Sequence, residues 1–496
     1  MTTSPSDGPG MPGRADVGTR RAYDVAVVGG GPAGMSAAVA AVDAGARVAL
    51  IDGGSALGGQ YWRHPPDRAL ATEVAGQHHG LRHYRRLARS IAAQERSGRL
   101  DVLTRHDVWT LERNGDHGFA ARVIDRAAAT EQERVVRASA LVLAPGAYDR
   151  QVPFPGWTLP GVMTAGGVQA LLKGSATVAG QRVLVAGTGP FLLPVAAGLA
   201  SAGATVVGVH EASSTAEWAS HPGAVARNVT KLAEGAGYAA RLARHRVPYR
   251  LRSTVLEAHG DDQVQEVTTA RLDSAGRVRP GTEERVAVDV LAVGWGFTPQ
   301  LELPLALGCA TRTDTDGSLV VVVDDEQRTT VGGIFVAGEA CGVGGAALAA
   351  VEGRIAGAAA ARALGHDAPV AARDRRQRTA LRGFARAMHR TYPVPEPWLD
   401  RVTDDVLVCR CEEVSAGRLR EVVEELGADD PRSAKLMARV GMGWCQGRVC
   451  GYPASCLVAH WTGTDVDPAQ LASRPVATPV PLAALAGTDL DEPTRT

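Results

Sequence analysis

The chain has 496 residues, enough for about three domains at roughly 100–200 residues each. Its 45% apolar and 21% charged content is typical of a globular protein with sizeable cores. The 53 basic and 53 acidic residues cancel, which argues against electrostatic binding to nucleic acid or to an anionic membrane. No stretch approaches ~20 uninterrupted apolar residues, so we expect no membrane insertion.

Residues 1–21 are small, polar and rich in Gly and Pro, which predicts a disordered tail. The tail lacks the apolar region of a secretory signal. Arg20 and Arg21 precede an apolar run, but glycines interrupt that run and argue against a twin-arginine export signal. We therefore expect a cytoplasmic, reducing compartment, where disulfides are disfavoured.

Residues 23–52 predict a strand, a glycine-rich turn, a helix and a second strand. Gly29 permits the tight turn, Gly31 lets backbone N–H groups approach a pyrophosphate, and Gly34 allows close helix–strand packing. The helix N-terminus stabilises phosphates, and the acid after the second strand can accept hydrogen bonds from a ribose. The residues assigned to a bound dinucleotide are Gly29, Gly31, Pro32, Ala33, Gly34 and Asp52.

Residues 181–213 predict a second unit of the same kind. Gly187 and Gly189 form its turn, and Glu211 occupies the ribose position. Leu192 replaces the third glycine, so we expect the helix to lie further from the strand. Either NAD(H) or another adenine nucleotide binds here, or the fold is retained with an empty site or a different ligand.

Two such units, the second inserted into the first, resemble the two-domain architecture of glutathione-reductase-like flavoproteins. "ALVLAPGAYDR" (140–150), "VLAVGWGFTPQ" (290–300) and "GGIFVAGEACGVGGAALAAVEGRIAG" (332–357) resemble the segments that leave, re-enter and close the FAD domain. This implies an α/β fold with two Rossmann-like dinucleotide-binding domains. It also implies FAD contacts at Gly59, Gln60, Gly146, Gly338 and Glu339, although related proteins usually carry Asp at the last position.

Disulfide reductases of this architecture carry two cysteines beside the flavin. Here the first cysteine in the chain is Cys309, and the segment after Asp52 has none. The predicted flavin therefore has no dithiol to reduce, and another electron acceptor is expected.

The four cysteines Cys409, Cys411, Cys445 and Cys450 form a C-x-C pair and a C-x-x-x-x-C pair. Two short predicted helices, one capped by Ser415 and one starting at Asp430-Pro431, bring the second pair back beside the first. Four thiolates suit zinc or a two-iron cluster, and packed free thiols are a third alternative. Structural zinc favours C-x-x-C, so the spacing favours [2Fe–2S].

"CRCEEV" and "GMGWCQGRVCG" resemble the small helical [2Fe–2S] module of the bacterioferritin-associated-ferredoxin type. This resemblance implies a small helical [2Fe–2S] domain whose ligands are the four cysteines. The charges of Arg410 and Arg448, between the ligands, would favour the reduced cluster. Cys309, Cys341 and Cys456 are expected to be buried and to bind no metal.

From about Tyr23 to Gly463 the chain resembles the FAD-containing subunit of opine oxidases, hydrogen cyanide synthase and D-hydroxyproline or proline dehydrogenase complexes. The segments "GGQYWR", "GTGPFLLPVA", "AVGWGFTP" and "GVGGAALAAVEGRIAG" carry this resemblance. It implies a hetero-oligomer in which a D-amino-acid-oxidase-like flavoprotein oxidises a C–N bond. The present chain would relay the electrons through FAD and [2Fe–2S] to a small electron carrier.

Two other functions remain open from the residues. One is an NAD(P)H-dependent reductase that passes electrons through FAD and its own cluster to an external acceptor. The other is an iron-sensing or docking module on a flavin scaffold. No residue is identified as a catalytic acid or base, and the substrate is not identified.

The predicted boundaries divide the chain into six parts. They are a disordered tail (1–21), a two-part FAD domain (22–175 and 281–365), a second dinucleotide-binding-like domain (176–280), a connector (366–402), a [2Fe–2S] domain (403–463) and a loosely packed tail (464–496).

Overall fold

The computed structural model of the chain describes residues 23–65, 78–114, 118–128, 131–474 and 476–486. The predicted tail at 1–21 and the end of the predicted C-terminal tail, from residue 487, lie outside these ranges. None of the helices within them combines the length and the apolar content needed to cross a bilayer.

The described chain folds into both strands and α-helices. The strands are β1 (Tyr23–Val28), β2 (Val48–Asp52), β3 (Leu100–Thr104), β4 (His106–Arg113), β5 (Phe119–Asp125), β6 (Gln132–Leu143), β7 (Ala147–Asp149), β8 (Val162–Thr164), β9 (Arg182–Gly187), β10 (Thr205–Glu211), β11 (Tyr249–Leu251), β12 (Ser253–His259), β13 (Glu266–Arg271), β14 (Glu284–Ala287), β15 (Val290–Gly294), β16 (Phe297–Pro299), β17 (Thr311–Thr313), β18 (Leu319–Val321), β19 (Ile334–Val336), β20 (Leu407–Cys409) and β21 (Val414–Ser415). The α-helices are α1 (Pro32–Asp43), α2 (Leu81–Arg96), α3 (Ala165–Ser175), α4 (Leu192–Ser201), α5 (Pro222–Ala226), α6 (Val229–Arg244), α7 (Glu302–Ala306), α8 (Ala346–Ala363), α9 (Ala372–Thr391), α10 (Ala416–Glu424), α11 (Pro431–Ala438), α12 (Gly451–Thr462) and α13 (Leu482–Ala486). The 3₁₀ helices span Thr215–Ser220, Gly338–Cys341, Glu396–Arg401 and Pro468–Leu471.

The first sheet contains the first predicted dinucleotide unit. Its strand order is β3-β2-β1-β6-β5-β4, and β19 also pairs with β6. The pairs β3–β2, β2–β1, β1–β6 and β6–β19 are parallel, whereas β4, β5 and β6 form an antiparallel meander. The apolar runs of β1 and β2 are buried because helices and loops cover both faces of this part of the sheet.

Helices α1 and α8 pack closely against each other on this sheet. A Cβ added at Gly353 would lie 2.0 Å from the Ala33 carbonyl oxygen, and one added at Gly357 would lie 2.1 Å from that of Ala37. Glycine is therefore required at both positions of α8, and the closing segment predicted from the sequence is fixed on the dinucleotide helix.

The second sheet contains the second unit and is entirely parallel, in the order β11-β10-β9-β15-β8. It includes β8 and β15, which flank the predicted 176–280 range on either side. An antiparallel sheet, β12-β13-β14, follows it, and the ribbon of β7 and β16 joins the two sheet systems. The predicted fold, α/β with two Rossmann-like units, is confirmed for this part of the chain.

The two predicted helices between the cysteine pairs are confirmed as α10 and α11. The Ser415 hydroxyl accepts the Arg418 N–H at the start of α10, and the Asp430 carboxylate accepts the N–H groups of Arg432 and Ser433 at the start of α11. Apolar side chains of this region, including Leu419 and Leu457, share one core with the second sheet system. The C-terminal helices are therefore packed on the rest of the molecule.

The described part of the predicted C-terminal tail contacts the rest of the molecule at several points, although most of its residues are exposed or half-buried. Leu471 is buried, and the N–H of Ala477 donates to the carbonyl oxygen of Trp109 at 2.9 Å. Arg474 forms an ion pair with Glu302 at 3.2 Å. A Pro- and Ala-rich composition did not reveal these contacts because they join residues far apart in the chain.

Candidate functional site

The first glycine loop has the geometry that a dinucleotide requires. Gly29 has φ +102°, and a Cβ there would lie 2.2 Å from the Ala144 carbonyl oxygen. A Cβ at Gly34 would lie 1.7 Å from the Gly29 carbonyl oxygen, so the helix touches the strand backbone to backbone. Helix α1 begins at Pro32 with no side-chain cap from Gly31, and both of these residues are half-buried. This cradle fits a FAD pyrophosphate.

Asp52 lies at the mouth of the same loop. Its carboxylate accepts the N–H of Gly30 at 2.5 Å and that of Gly54 at 2.7 Å, and it is half-buried. Burial raises the pKa of Asp52, while these two N–H groups lower it. The acid lines a cleft together with Gly29, His106, Tyr148, Gln300 and Glu302.

The remaining predicted FAD residues are spread along the loop and the closing segment. Gly59 packs on Gly31, since a Cβ at Gly59 would lie 2.8 Å from the Gly31 Cα. Gln60 is exposed and accepts from Arg63 at 2.9 Å, and Gly146 has open space where a Cβ would point. Gly338 is buried beside Ala33, and a Cβ added at Gly338 would lie 3.2 Å from the Ala33 Cβ. Their contacts with FAD stay predictions.

Glu339 lies at the start of the closing glycine-rich segment. Its carboxylate accepts the N–H groups of Gly344 at 3.1 Å and Gly345 at 2.9 Å, so it closes its own glycine-rich turn. The N–H of Gly338 instead donates to Glu352 at 3.1 Å. A contact between Glu339 and the FAD ribityl or pyrophosphate region remains a prediction.

The connector helix α9 is bound to the FAD domain by buried ion pairs. Arg382 donates to both oxygens of Glu352 at 2.8 Å, and the Glu352 side chain is fully buried. Arg354 pairs with Asp374 at 2.8 Å. We did not predict these partners from the sequence; the i, i+4 spacing of Asp374, Arg378 and Arg382 is the signal that marks one face of α9.

The second glycine loop has the predicted residues but no open mouth. Gly187, Gly189 and Glu211 are all buried, and Glu211 is 0% exposed. The Glu211 carboxylate accepts the N–H groups of Gly189 and Ser213, both at 2.9 Å. Burial raises the pKa of Glu211, and the N–H of Ser213 opposes that shift. No Glu211 oxygen is accessible to a ribose, so this arrangement does not fit NAD(H) at the predicted position.

The connector covers this second loop. A Cβ at Gly189 would lie 3.9 Å from the Tyr392 Cβ, and the Ser213 hydroxyl donates to the Pro393 carbonyl oxygen at 3.4 Å. Trp218, which follows β10, stacks on Phe384 of α9 with ring centroids 5.2 Å apart. The helix α4 also begins later than α1 does, three residues after the second glycine of its loop, with the buried side chain of Leu192 at its start.

The four predicted metal ligands converge. Three thiol–thiol hydrogen bonds connect them in the order Cys411, Cys445, Cys450, Cys409. Donation from the Cys450 thiol, then the N–H groups of Gly441, Glu412 and Cys411, lowers the pKa of Cys409 to about 6 against the effect of burial. The Cys450 thiol likewise lowers the pKa of Cys445, and thiolates are the form that binds metal.

Glycines close the loop around these thiols. A Cβ at Gly443 would lie 2.4 Å from the Cys411 Cβ. Within the described ranges, no three His, Cys, Asp or Glu side chains are placed to hold a single metal ion. Four neighbouring thiols supply the donor atoms that either a two-iron cluster or a zinc ion requires.

The two arginines between the predicted ligands have different surroundings, and their effect on a cluster remains a prediction. Arg448 pairs with the buried Glu302 at 2.9 Å, so its positive charge is partly neutralised. Arg410 is exposed and lies 5.7 Å from the Trp157 ring centroid. Cys309, Cys341 and Cys456 are buried, as expected of thiols that bind no metal.

Comparisons with known proteins agree with this architecture. Residues 23–365 match the family described as pyridine nucleotide-disulphide oxidoreductase. The chain is 33% identical over 446 residues to an opine oxidase subunit of Agrobacterium tumefaciens, covering 86% of this chain and 84% of that protein. It is also 33% identical over 435 residues to hydrogen cyanide synthase subunit HcnB of Pseudomonas aeruginosa, covering 86% and 90%.

Among solved structures, the crystal structure of L-proline dehydrogenase from P. horikoshii shares the fold. Its TM-score is 0.65 at 21% identity, covering 94% of this chain and 79% of that chain. The chain therefore belongs to the pyridine nucleotide-disulphide oxidoreductase family and, within it, to the FAD-dependent oxidoreductase subunits that include HcnB and its opine oxidase counterpart.

Proposed function

We propose that this chain is the FAD- and [2Fe–2S]-containing electron-transfer subunit of a heteromeric dehydrogenase or oxidase. The substrate of the complex would be an amino acid or amine of the proline, hydroxyproline, opine or glycine type. The observation that carries the proposal is the convergence of four thiols in a chain whose FAD domain has no dithiol.

The chain's own residues support a binding and positioning role. The first-turn N–H groups of α1 would hold the FAD pyrophosphate, and Asp52 would hold its ribose. The four cysteines would hold the cluster inside the glycine loops. When bound, FAD supplies two-electron and one-electron chemistry, and the cluster supplies one-electron transfer. We assign no catalytic acid or base.

The relatives support a heteromeric assembly. The opine oxidase relative and HcnB are each named as one subunit of a larger enzyme. By analogy, the present chain would assemble with a D-amino-acid-oxidase-like flavoprotein that oxidises the C–N bond, and would pass electrons to a small carrier.

The closed second loop weighs against the NAD(P)H-dependent reductase. A nicotinamide nucleotide would need the Glu211 carboxylate for its ribose, and that carboxylate is buried and bonded to Gly189 and Ser213. Opening the site would require the Tyr392–Pro393 segment to move.

The test is an anaerobic purification of the chain, with iron, sulfide, zinc and flavin determined per chain. We expect the purified chain to contain FAD and equal amounts of iron and sulfide. Dithionite should bleach its absorption spectrum, whereas NADH and a panel of proline, hydroxyproline, opines and glycine should not. Co-expression with the oxidase-like partner should then make one of these amines bleach the spectrum.

The cluster assignment has a matched control within the chain. Cys445→Ser should lose the iron and sulfide, whereas Cys456→Ser, which alters a buried thiol outside the group of four, should keep both. Stoichiometric zinc in place of iron, or rapid bleaching by NADH in the isolated chain, would contradict the proposal.

A further inference from the structure

Four side chains form a buried polar network between the cysteine loop and the FAD domain. The Glu302 Oε1 lies 2.9 Å from Arg448 Nε, 3.2 Å from Arg474 Nη1 and 3.1 Å from the Tyr148 hydroxyl. Arg448 Nε also donates to the Tyr148 hydroxyl at 2.7 Å. The side chains of Glu302, Arg448 and Arg474 are 5%, 12% and 11% exposed, so the charges are largely out of water. We refer to Tyr148, Glu302, Arg448 and Arg474 as the Glu302 network.

On one side this network holds the loop of the second cysteine pair. Arg448 Nη1 donates to the carbonyl oxygen of Cys445 at 3.1 Å, and Arg474 Nε donates to that of Gln446 at 2.6 Å. Both arginines converge on Glu302, so a single carboxylate fixes two consecutive carbonyls of the loop. Charge-assisted hydrogen bonds of this kind are stronger than neutral ones.

On the other side the network forms a wall of the FAD cleft. Tyr148 and Glu302 line the cleft that also contains Gly29 and Asp52. Arg448 additionally donates to the carbonyl oxygen of Ala477, another residue of that cleft. The same side chains therefore contact both predicted cofactor sites.

The network also carries a charge imbalance. Two arginines face one carboxylate in a buried region, and both arginines act electrostatically on Cys445. Negative charge on the cysteine loop is favoured by the two cations and opposed by Glu302. Removing Glu302's charge should therefore favour the reduced, more negative state of a cluster bound there, and removing an arginine should oppose it.

We propose that Glu302 is a positioning residue that couples the two cofactor sites. It fixes the Cys445–Arg448 loop against the wall of the FAD cleft and sets the local charge at the cluster. This inference rests on the proposed function. Because the coupling is reciprocal, binding of FAD strengthens retention of the cluster, and the cluster strengthens binding of FAD by the same factor.

The test compares Glu302→Gln, which keeps the side-chain volume and removes the charge, with the unmodified holoprotein. In an EPR-monitored redox titration, the ratio of reduced to oxidised cluster at a fixed potential should rise about tenfold, equivalent to about 59 mV for one electron. The Kd of FAD should be about tenfold lower in cluster-loaded wild type than in chelator-stripped wild type. In Glu302→Gln the same two Kd values should differ by less than about twofold.

Two further variants separate charge from position. Tyr148→Phe removes the hydroxyl link without a charge change; it should weaken the FAD–cluster coupling and leave the redox ratio within about twofold. It also stands in for Glu302→Gln if that variant fails to fold. The control is Asp404→Asn, which alters an exposed ion pair with Arg420 in the same region and should change neither quantity.

The outcomes distinguish this inference from the proposed function. Wild-type protein without iron and sulfide overturns the proposed function and this inference with it. A wild-type protein that holds its cluster, with Glu302→Gln unchanged in redox ratio and in FAD coupling, overturns this inference alone. A fall in the reduced fraction in Glu302→Gln would also overturn it, because the sign would be wrong.

Discussion

The two dinucleotide units share their local structure and differ in what covers them. In each, the acid after the second strand accepts the N–H of a loop glycine, Asp52 from Gly30 at 2.5 Å and Glu211 from Gly189 at 2.9 Å. Asp52 is half-buried at the mouth of a cleft, whereas Glu211 is completely buried. The motif thus determines the hydrogen bonds of the loop, and the rest of the chain determines whether a ligand can enter.

The connector makes this difference. Helix α9 is bound to the FAD domain through Arg382 and Glu352, and its far end reaches the second loop at Tyr392. One segment therefore ties the FAD domain to the second unit and closes the second loop. Substitutions at either end of this segment therefore test why one loop is open and the other is closed.

The largest expected effect follows from breaking the buried pair under the connector. Arg382→Met leaves the fully buried Glu352 carboxylate without its main partner, and removing one member of such a pair costs about 3–5 kcal/mol. We expect the free energy of unfolding, measured in urea by fluorescence, to fall by that amount. The control is Arg250→Met, which breaks an exposed pair with Glu284 and should cost far less. Equal losses in the two variants would refute the structural role of the connector pair.

The next effect concerns the open unit. Gly34→Ala places a Cβ 1.7 Å from the Gly29 carbonyl oxygen, so the loop must move away from the phosphate position. We expect FAD affinity to fall at least about a hundredfold, or about 2.8 kcal/mol, in a fluorescence titration. Gly235→Ala, in α6 with nothing within 4 Å of the added Cβ, should bind FAD like the wild type. FAD retained at full affinity in Gly34→Ala would show that the flavin lies elsewhere.

These contrasts show what the sequence could predict. Local patterns predict the strands and helix of the first unit, its acid, the caps Ser415 and Asp430, and the proximity of the cysteines. Local patterns do not predict the closed second loop, because the Ser213–Pro393 contact joins residues 180 positions apart. The Glu302 network escaped prediction for the same reason, since Arg448 and Tyr148 are 300 positions apart.

A smaller effect is expected on opening the closed unit. Wild-type protein should bind NADH and AMP with Kd values weaker than about 1 mM in calorimetry, because Glu211 is inaccessible. Tyr392→Ala removes the side chain beside Gly189 and should strengthen AMP binding by about tenfold. Micromolar binding by the wild type would mean that the connector does not close the site in solution.

The smallest effect is a pH dependence at Glu211. Burial raises the pKa of Glu211 above its ordinary 4.5, so in the interval above pH 4.5 the folded chain binds a proton that the unfolded chain has lost. Wild-type stability therefore falls as pH rises through that interval. Gln cannot ionise, so the stability of Glu211→Gln relative to wild type should rise with pH, by about 1.4 kcal/mol per pH unit until the folded pKa is reached.

Asp430 supplies the control of opposite sign. The N–H of Ser433 lowers the pKa of this N-cap carboxylate, so its stabilising effect is present above its ordinary pKa of 3.8 and is lost as pH falls. On acidification Asp430→Asn should therefore become less destabilised relative to wild type. Glu211→Gln should become less stabilised relative to wild type, because wild-type Glu211 becomes protonated. Both differences are read from urea unfolding at a series of pH values from about 8 down to about 2, so that the series includes the interval below pH 3.8 in which the Asp430 effect is lost. A Glu211→Gln difference that does not change with pH would mean that burial does not raise the pKa of Glu211, and that the connector does not shield this carboxylate from water.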